Sequence, residues 1–261
     1  MSEEWRQAGA AWGERAVDWA YLFEPSFAPT YRTVLPRLGL GPGTRHLDIA
    51  CGSGLAAHEA VVTGATVEGI DAAEGLLAIA RRRSPEAVFV AGDMYALPYP
   101  DASFDTVVSF NGIFGGDDAA MREAARVVRP GGRVAVGFWG RPRLRDHFEV
   151  LVAFGAFKEA GEAAAEASLL EIGKPGVAEG MFTAAGLEVE ERGISEMVSE
   201  WPDVETGVRA CAAAGPAWPV LQGPHAADLR AALRAALVPF DAPGQGVRMR
   251  SEMGFLIGRR P

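Results

Sequence analysis

Residues 46–54 read HLDIACGSG, an apolar run with an aspartate inside it that closes on glycine and serine. Gly52 and Gly54 carry no Cβ, so a ligand can approach the backbone closely, and a helix beginning just beyond them would offer free amides. The letters GSGLAA also satisfy the dinucleotide pattern G-x-G-x-x-A, so the glycines alone admit a nicotinamide dinucleotide or another adenosine ligand. Asp48 lies four residues before Gly52 and would set a fixed negative charge against a pyrophosphate. That placement suits a cationic or zwitterionic ligand, or a carboxylate that ties down the loop amides. Asp71 ends the next apolar run, 17 residues after Gly54, where a carboxylate can accept from both ribose hydroxyls. Each such charge-assisted bond contributes about 1.5–3 kcal/mol. Asp93 ends a third run and could accept from an adenine amine with Met94 packed on the ring, or could merely form a turn.

The surrounding elements decide whether these residues meet. RHLDIA, TVEGID, AVFVAGD, FDTVVSFN and RVAVGFW read as buried strands. SGLAAHEAVVTG, AAEGLLAIARRRS and DDAAMREAARVVR read as helices between them, the last capped by Asp117 or Asp118 and closed by a PGG turn. Alternation of this kind predicts crossover units and a parallel sheet covered on both faces. Later, LEVEERGISEMVSE and GVRMRSEMGFLIGRR read as two further strands, which makes a doubly wound, mostly parallel seven-stranded α/β sheet. The expected layout is a helical lid over 1–40 broken at Pro25 and Pro29, a ligand-binding core over 41–140, an insertion and cap over 141–245, and a closing strand over 246–261. The cap would include the long alanine-rich stretch RDHFEVLVAFGAFKEAGEAAAEASLL, a shorter helix VAEGMFTAAG, and two helices between the late strands.

Four segments, LDIACGSG at 47–54, VEGIDAAEGLLAIAR at 67–81, GDMYALPYPDASFDTVVS at 92–109 and EAARVVRPGGRVAV at 123–136, resemble the class I S-adenosylmethionine-dependent methyltransferases. The likeness is to the small-molecule branch that includes the ubiquinone and menaquinone biosynthesis methyltransferases. It implies a Rossmann-like fold and S-adenosyl-L-methionine as cofactor. The resemblance implies that Asp48, Gly52, Ser53 and Gly54 hold the methionine side, Asp71 and Ala72 the ribose side, and Asp93 with Met94 the adenine. Phe110 and Asn111 would line the methyl-donor pocket. The family commonly has a histidine pair or similar polar group just after the fourth strand, where this chain has NGIFGG. Cys51 occupies a position that is often small or cysteine in the family and reads as packing.

Composition narrows the partners. The net charge of −9, from 25 basic and 34 acidic residues, argues against a phosphate-tracking nucleic-acid binder. Arg81, Arg82 and Arg83 end a helix, where cations meet the negative end of its dipole. No apolar run is long enough to span a membrane. The acidic, polar first residues do not read as a signal peptide, and the two cysteines, Cys51 and Cys211, fit a reducing compartment. The expectation is a cytoplasmic protein, with a homodimer left open and no metal site. Among four histidines, His147 and His225 are the candidates for a catalytic base, while His46 and His58 read as structural or surface residues. Trp12, Trp19, Tyr21, Phe23, Phe27 and Tyr31 would form the lid. Phe114, Phe138, Trp139, Phe148, Phe154, Trp201 and Trp218 could line an acceptor pocket. No cation stands out as an anion clamp, so the expected methyl acceptor is a small apolar or aromatic molecule. The competing readings are an S-adenosylmethionine-binding protein that transfers no methyl group, as a cyclase or regulator, and an NAD(P)-dependent oxidoreductase.

Overall fold

The computed structural model describes residues 4–141, 145–157 and 170–261. β1 (Arg45–Ile49), β2 (Thr66–Asp71), β3 (Val88–Ala91), β4 (Phe104–Phe110) and β5 (Val128–Trp139) are mutually parallel; helices link β1 to β2, β2 to β3 and β4 to β5, and a helix-free loop joins β3 to β4. β6 (Glu188–Trp201), the two-residue β7 (Asp241–Ala242) and β8 (Gly246–Arg259) complete a sheet of order 3-2-1-4-5-8-6, with β7 on β8. β8 runs antiparallel to both β5 and β6. The seven expected strands are present, and β7 is an addition too short to leave a periodic signal. Strand order reverses between β1 and β4, so the loops after those two strands border the crevice where ligands of open α/β sheets sit.

Both faces of the sheet are covered. Leu47, Ile49, Val107, Val108, Val134 and Val136 are at most 1% exposed, as near-continuous apolar strands should be in a parallel sheet. Three local readings need correction. The PGG segment is no turn but part of β5, because Gly131, at φ +77°, lets the strand bulge while its amide donates to the Arg260 carbonyl at 2.7 Å. Asp117 stands at the N-cap of helix Asp118–Val127 without capping it: its carboxylate instead accepts from the Phe114 amide and the Tyr95 hydroxyl. Of the long alanine-rich stretch, helix Phe148–Gly155 is present, and residues 158–169 lie outside the described residues. The shorter helix forms at Val177–Ala184, and the two late ones at Val204–Cys211 and Ala226–Leu237.

The first forty residues lie over the crevice end. Helix Glu4–Gly13 is followed by helical turns to Phe27 and by helix Ala28–Val34. Pro25 and Pro29 each fall in the first turn of a new segment, where a missing N–H costs no intrahelical bond. The sheet holds this segment at β6: Thr30 bonds Ser195 at 2.9 Å, Ser199 donates to Ser26 at 2.8 Å, and the Trp201 indole donates to the Leu22 carbonyl at 2.7 Å. Residues 195, 199 and 201 share one face of the strand, so its two-residue period aims all three at the lid.

Gly9 and Gly13, one helical turn apart, bring the first helix onto the loop after β2. A Cβ on Gly9 would stand 2.1 Å from the Ala72 carbonyl oxygen, and one on Gly75 would stand 2.6 Å from the Gly13 oxygen. Gly9→Ala should therefore lift the first helix off the sheet end, at a cost of about 1–3 kcal/mol. Limited proteolysis should cut the variant near its N-terminus faster than the parent, and equal cleavage rates would refute the contact.

Candidate active site

The loop after β1 depends on three departures from ordinary backbone at alternate positions. Ala50, Gly52 and Gly54 all have φ between +55° and +74°, so the chain folds back and turns into helix Leu55–Val61. At Gly54 an added Cβ would also strike Ala80 at 2.8 Å. The Asp71 carboxylate, partly exposed at the end of β2, accepts from the Gly52 amide and from the Ala73 amide, both at 2.8 Å. It thus holds its own turn and the glycine loop in one frame. Ala72 sits between these bonds, beneath the first helix.

Asp48 is 2% exposed, and its Oδ2 has no hydrogen-bond partner among the described residues. Burial pushes its carboxyl well above the usual carboxylate range; Glu24 and Asp71 add to the shift, and the Ala57 amide opposes it. Glu24, 4% exposed, descends from the lid onto Ser53, bonding both its amide and its hydroxyl. Arg83 donates to Glu24 at 3.0 Å, to the Ser53 carbonyl at 2.8 Å and to the Ser53 hydroxyl at 2.7 Å. Burial still keeps the Glu24 carboxyl above its ordinary value, against the lowering by Ser53 and Arg83. Three acidic side chains thus converge on the glycine loop, and Arg83 is the cation bonded to one of them.

Sequence reasoning missed Glu24 and Arg83. Arg83 is no simple helix-end cation; it reaches back to the loop. The only local hint was an acid set among the lid aromatics, which names no partner 59 residues away.

Along the crevice, Asp93 follows β3 and its Oδ1 accepts from the Tyr95 amide at 2.9 Å, so the carboxylate does form a turn. Met94 is half-buried against the core beneath β4. A groove of about 510 Å³ opens between Gly9 and Ala10 of the first helix and Ala72 and Ala91 at the ends of β2 and β3. Phe110 ends β4 against Tyr31 of the lid, ring centres 4.8 Å apart. Asn111 follows at φ +57°, its amide donating to the Gly137 carbonyl at 2.9 Å and its Oδ1 unpartnered among the described residues.

The aromatic expectations divide. Trp19, Phe23, Phe27, Trp139, Phe154 and Trp201 join one cluster under the lid. Phe138 packs on the opposite face, as strand alternation beside Trp139 demands, and Tyr21 and Phe148 are exposed. His147 lies inside the aromatic cluster, with ring centres of Phe23, Trp139 and Trp201 5.9–6.4 Å away. Its Nδ1 pairs with the Ser251 hydroxyl at 2.8 Å and its Nε2 with the Ser199 hydroxyl at 2.9 Å. Burial lowers its pKa to about 3, so the imidazole is neutral and engaged on both sides. His225 is exposed at the start of helix Ala226–Leu237, beside Asp228 at 3.2 Å. His46 is buried on the Thr106 hydroxyl, and His58 pairs with Ser84. Among the described residues no cluster of ligating side chains could hold a metal ion.

Residues 47–136, which carry the glycine loop, all three strand-end aspartates and Phe110–Asn111, match the family model of the methyltransferase domain. By that match the segment is similar to a methyltransferase domain. A demethylmenaquinone methyltransferase of Beutenbergia cavernae is 38% identical over 125 residues, 47% of this chain and 52% of that relative. The chain spans about half the length of the curated relatives it matches. Among solved structures, a Bacillus halodurans C-125 protein provisionally assigned as a methyltransferase superposes with a TM-score of 0.60 at 20% identity, covering 88% of this chain and 98% of that one. The [4+2]-cyclase SpnF superposes with a TM-score of 0.58 at 24% identity, covering 89% and 80%. At these identities the superpositions speak for the fold. The family model covers β1–β4 and most of β5, whereas the superpositions extend over 88–89% of the chain.

Proposed function

We propose that the protein transfers a methyl group from S-adenosyl-L-methionine to a small molecule. The carrying observation is the unpartnered Oδ2 of buried Asp48, set with Glu24 and Asp71 against a glycine loop: a negative well that suits a ligand bearing an ammonium and a sulfonium. Asp48, Gly52, Ser53 and Gly54 would hold the amino-acid end, Asp71 and Ala72 the ribose. The groove between Ala72 and Ala91 suits adenine, and Asp93 and Met94, which follow Ala91 in the chain, are the contacts expected for it. A pyrophosphate would meet the carboxyl groups of Asp48 and Asp71 in the same place, which disfavours a nicotinamide dinucleotide.

The donor supplies an activated methyl group, and the protein's task is chiefly alignment, which can contribute roughly 7–11 kcal/mol. Phe110, Asn111 and the lid aromatics exclude water from the donor's methyl end. His147, neutral and bonded to two serines, would position the acceptor wall; His225 is the more accessible of the two candidate bases. The negative net charge favours a small-molecule acceptor over nucleic acid. No helix among the described residues is long and apolar enough to cross a membrane, which accords with a cytoplasmic setting, and a homodimer stays open.

Calorimetry with S-adenosylhomocysteine and NADH tests the donor, and labelled methyl from S-adenosylmethionine with an acceptor panel tests transfer. Micromolar NADH binding without S-adenosylhomocysteine binding would overturn the proposal. Donor binding with no transfer to any acceptor would favour the cyclase or regulator reading. Asp48→Asn should weaken S-adenosylhomocysteine about tenfold, by loss of roughly 1.5 kcal/mol of charge-assisted bonding. The raised pKa of Asp48 means the folded state holds its proton more tightly. Its stabilising contribution is therefore present at low pH and is lost as pH rises through the raised value. The ligand-free parent should accordingly gain stability on mild acidification from neutrality, and the Asn variant should gain less. Identical pH profiles for the two would remove Asp48 from this role.

A further inference from the structure

Beyond the end of β5, Arg145 forms a bridge with Ser251 of β8. Bridged residues direct their side chains to the same face, so Arg145 shares the lid side with Ser251, Met249 and Met253. His147, two residues on, bonds that same Ser251. Arg145 is 5% exposed, yet its Nε and Nη1 are buried with no hydrogen-bond partner among the described residues. The carboxylate closest in effect, Glu252, is taken: Arg141 holds it through Nε at 3.0 Å and Nη2 at 2.7 Å. Asp146 points elsewhere, accepting the Arg250 amide at 2.6 Å. Helix Phe148–Gly155 begins three residues later in the chain.

An unpaired buried guanidinium is costly and is not retained for packing, since a methionine would fill the space without the desolvation penalty. Arg presents a planar fork of donors that matches an oxyanion of two or more oxygens. We propose that Arg145 is the receptor for an oxyanion group, a carboxylate or phosphate, on the methyl acceptor, so that the acceptor is an anionic molecule with an apolar body. The face that Arg145 shares is otherwise apolar, with Met249, Met253, Trp139 and Trp201 in one buried cluster, so the rest of the acceptor would meet hydrocarbon. The proposal departs from the sequence expectation, in which no cation stands out as an anion clamp. The inference rests on the methyl-transfer reading only for the word acceptor; the anion site stands on Arg145 itself.

Thermal unfolding of the parent and of Arg145→Met tests it, in increasing sodium acetate or inorganic phosphate against sodium chloride at equal ionic strength. An anion held by Arg145 should raise the parent's Tm by about 3 °C or more above the chloride control. R145M should lose that increment and should be the more stable protein without anion. The acetate and phosphate arms show which oxyanion is preferred. Benzoate should bind the parent with S-adenosylhomocysteine present at least tenfold more tightly than benzamide, and R145M should abolish the preference while keeping its affinity for S-adenosylhomocysteine. Equal responses of parent and variant to both anions, or equal binding of benzoate and benzamide by the parent, would overturn the anion site. If S-adenosylhomocysteine binds the parent and the anions do nothing, this inference alone fails. If S-adenosylhomocysteine does not bind, the functional reading fails whatever the anions do.

Discussion

Arg83→Met should destabilise the fold by about 3–5 kcal/mol, because it strips the cation from a buried pair and leaves the acid behind. The side chains of Glu24 and Arg83 are 5% and 15% exposed, so solvent cannot replace the lost partner. Arg83 also donates to the Ser53 carbonyl and, at 3.3 Å, to the Ala20 carbonyl, so the same substitution loosens the lid from the glycine loop. The effect should depend on pH in a fixed direction. Glu24 already holds its proton more tightly folded than unfolded, chiefly through burial, and losing Arg83 raises its pKa further. The penalty is then full above the raised pKa and shrinks as pH falls and the carboxyl is neutralised. Denaturant unfolding at pH 8 and pH 5 should show the larger loss at pH 8, and Glu24→Gln in the same chain should recover much of it. A loss under 1 kcal/mol at pH 8 would mean that the pair does not hold the lid.

Asp71→Ala is expected to weaken S-adenosylhomocysteine by roughly 2–4 kcal/mol, or about 30- to 1000-fold, through two charge-assisted bonds to the ribose. The structure gives this substitution a second consequence, since Asp71 also fixes the Gly52 and Ala73 amides. Asp71→Asn should fall between parent and Ala, because it retains one carbonyl acceptor but not the charge. Calorimetric titration of folded variants reads both effects, and an unchanged Kd for the Ala variant would exclude Asp71 from the site.

Much of the strand-end cluster was legible in the chain because its signals are local. Period-two and near-continuous apolar runs mark β1–β6 and β8, and each aspartate of interest stands within a residue or two of a strand end. Gly52 and Gly54 do adopt the left-handed backbone that their type permits. In a parallel sheet all such strand ends point one way, so local pattern was enough to assemble Asp48, Asp71, Asp93 and Asn111 along one edge.

The cluster around His147 and Arg145 was not legible, because its residues acquire meaning only from distant partners. Ser26 and Ser199 are 173 positions apart, and His147 and Ser251 are separated by 104. No periodicity encodes such pairs. The position of β8 between β5 and β6 likewise follows from sheet pairing rather than chain order. Arg145 gives the sharpest contrast. Its type was plain in the sequence, but whether a cation is paired, solvated or stranded is settled by what surrounds it, and here Arg141 takes the nearby carboxylate. The sequence by itself determined which glycines and aspartates stand at the strand ends; the tertiary structure decided which charges around them are left unsatisfied, because burial and partnership are properties of packing.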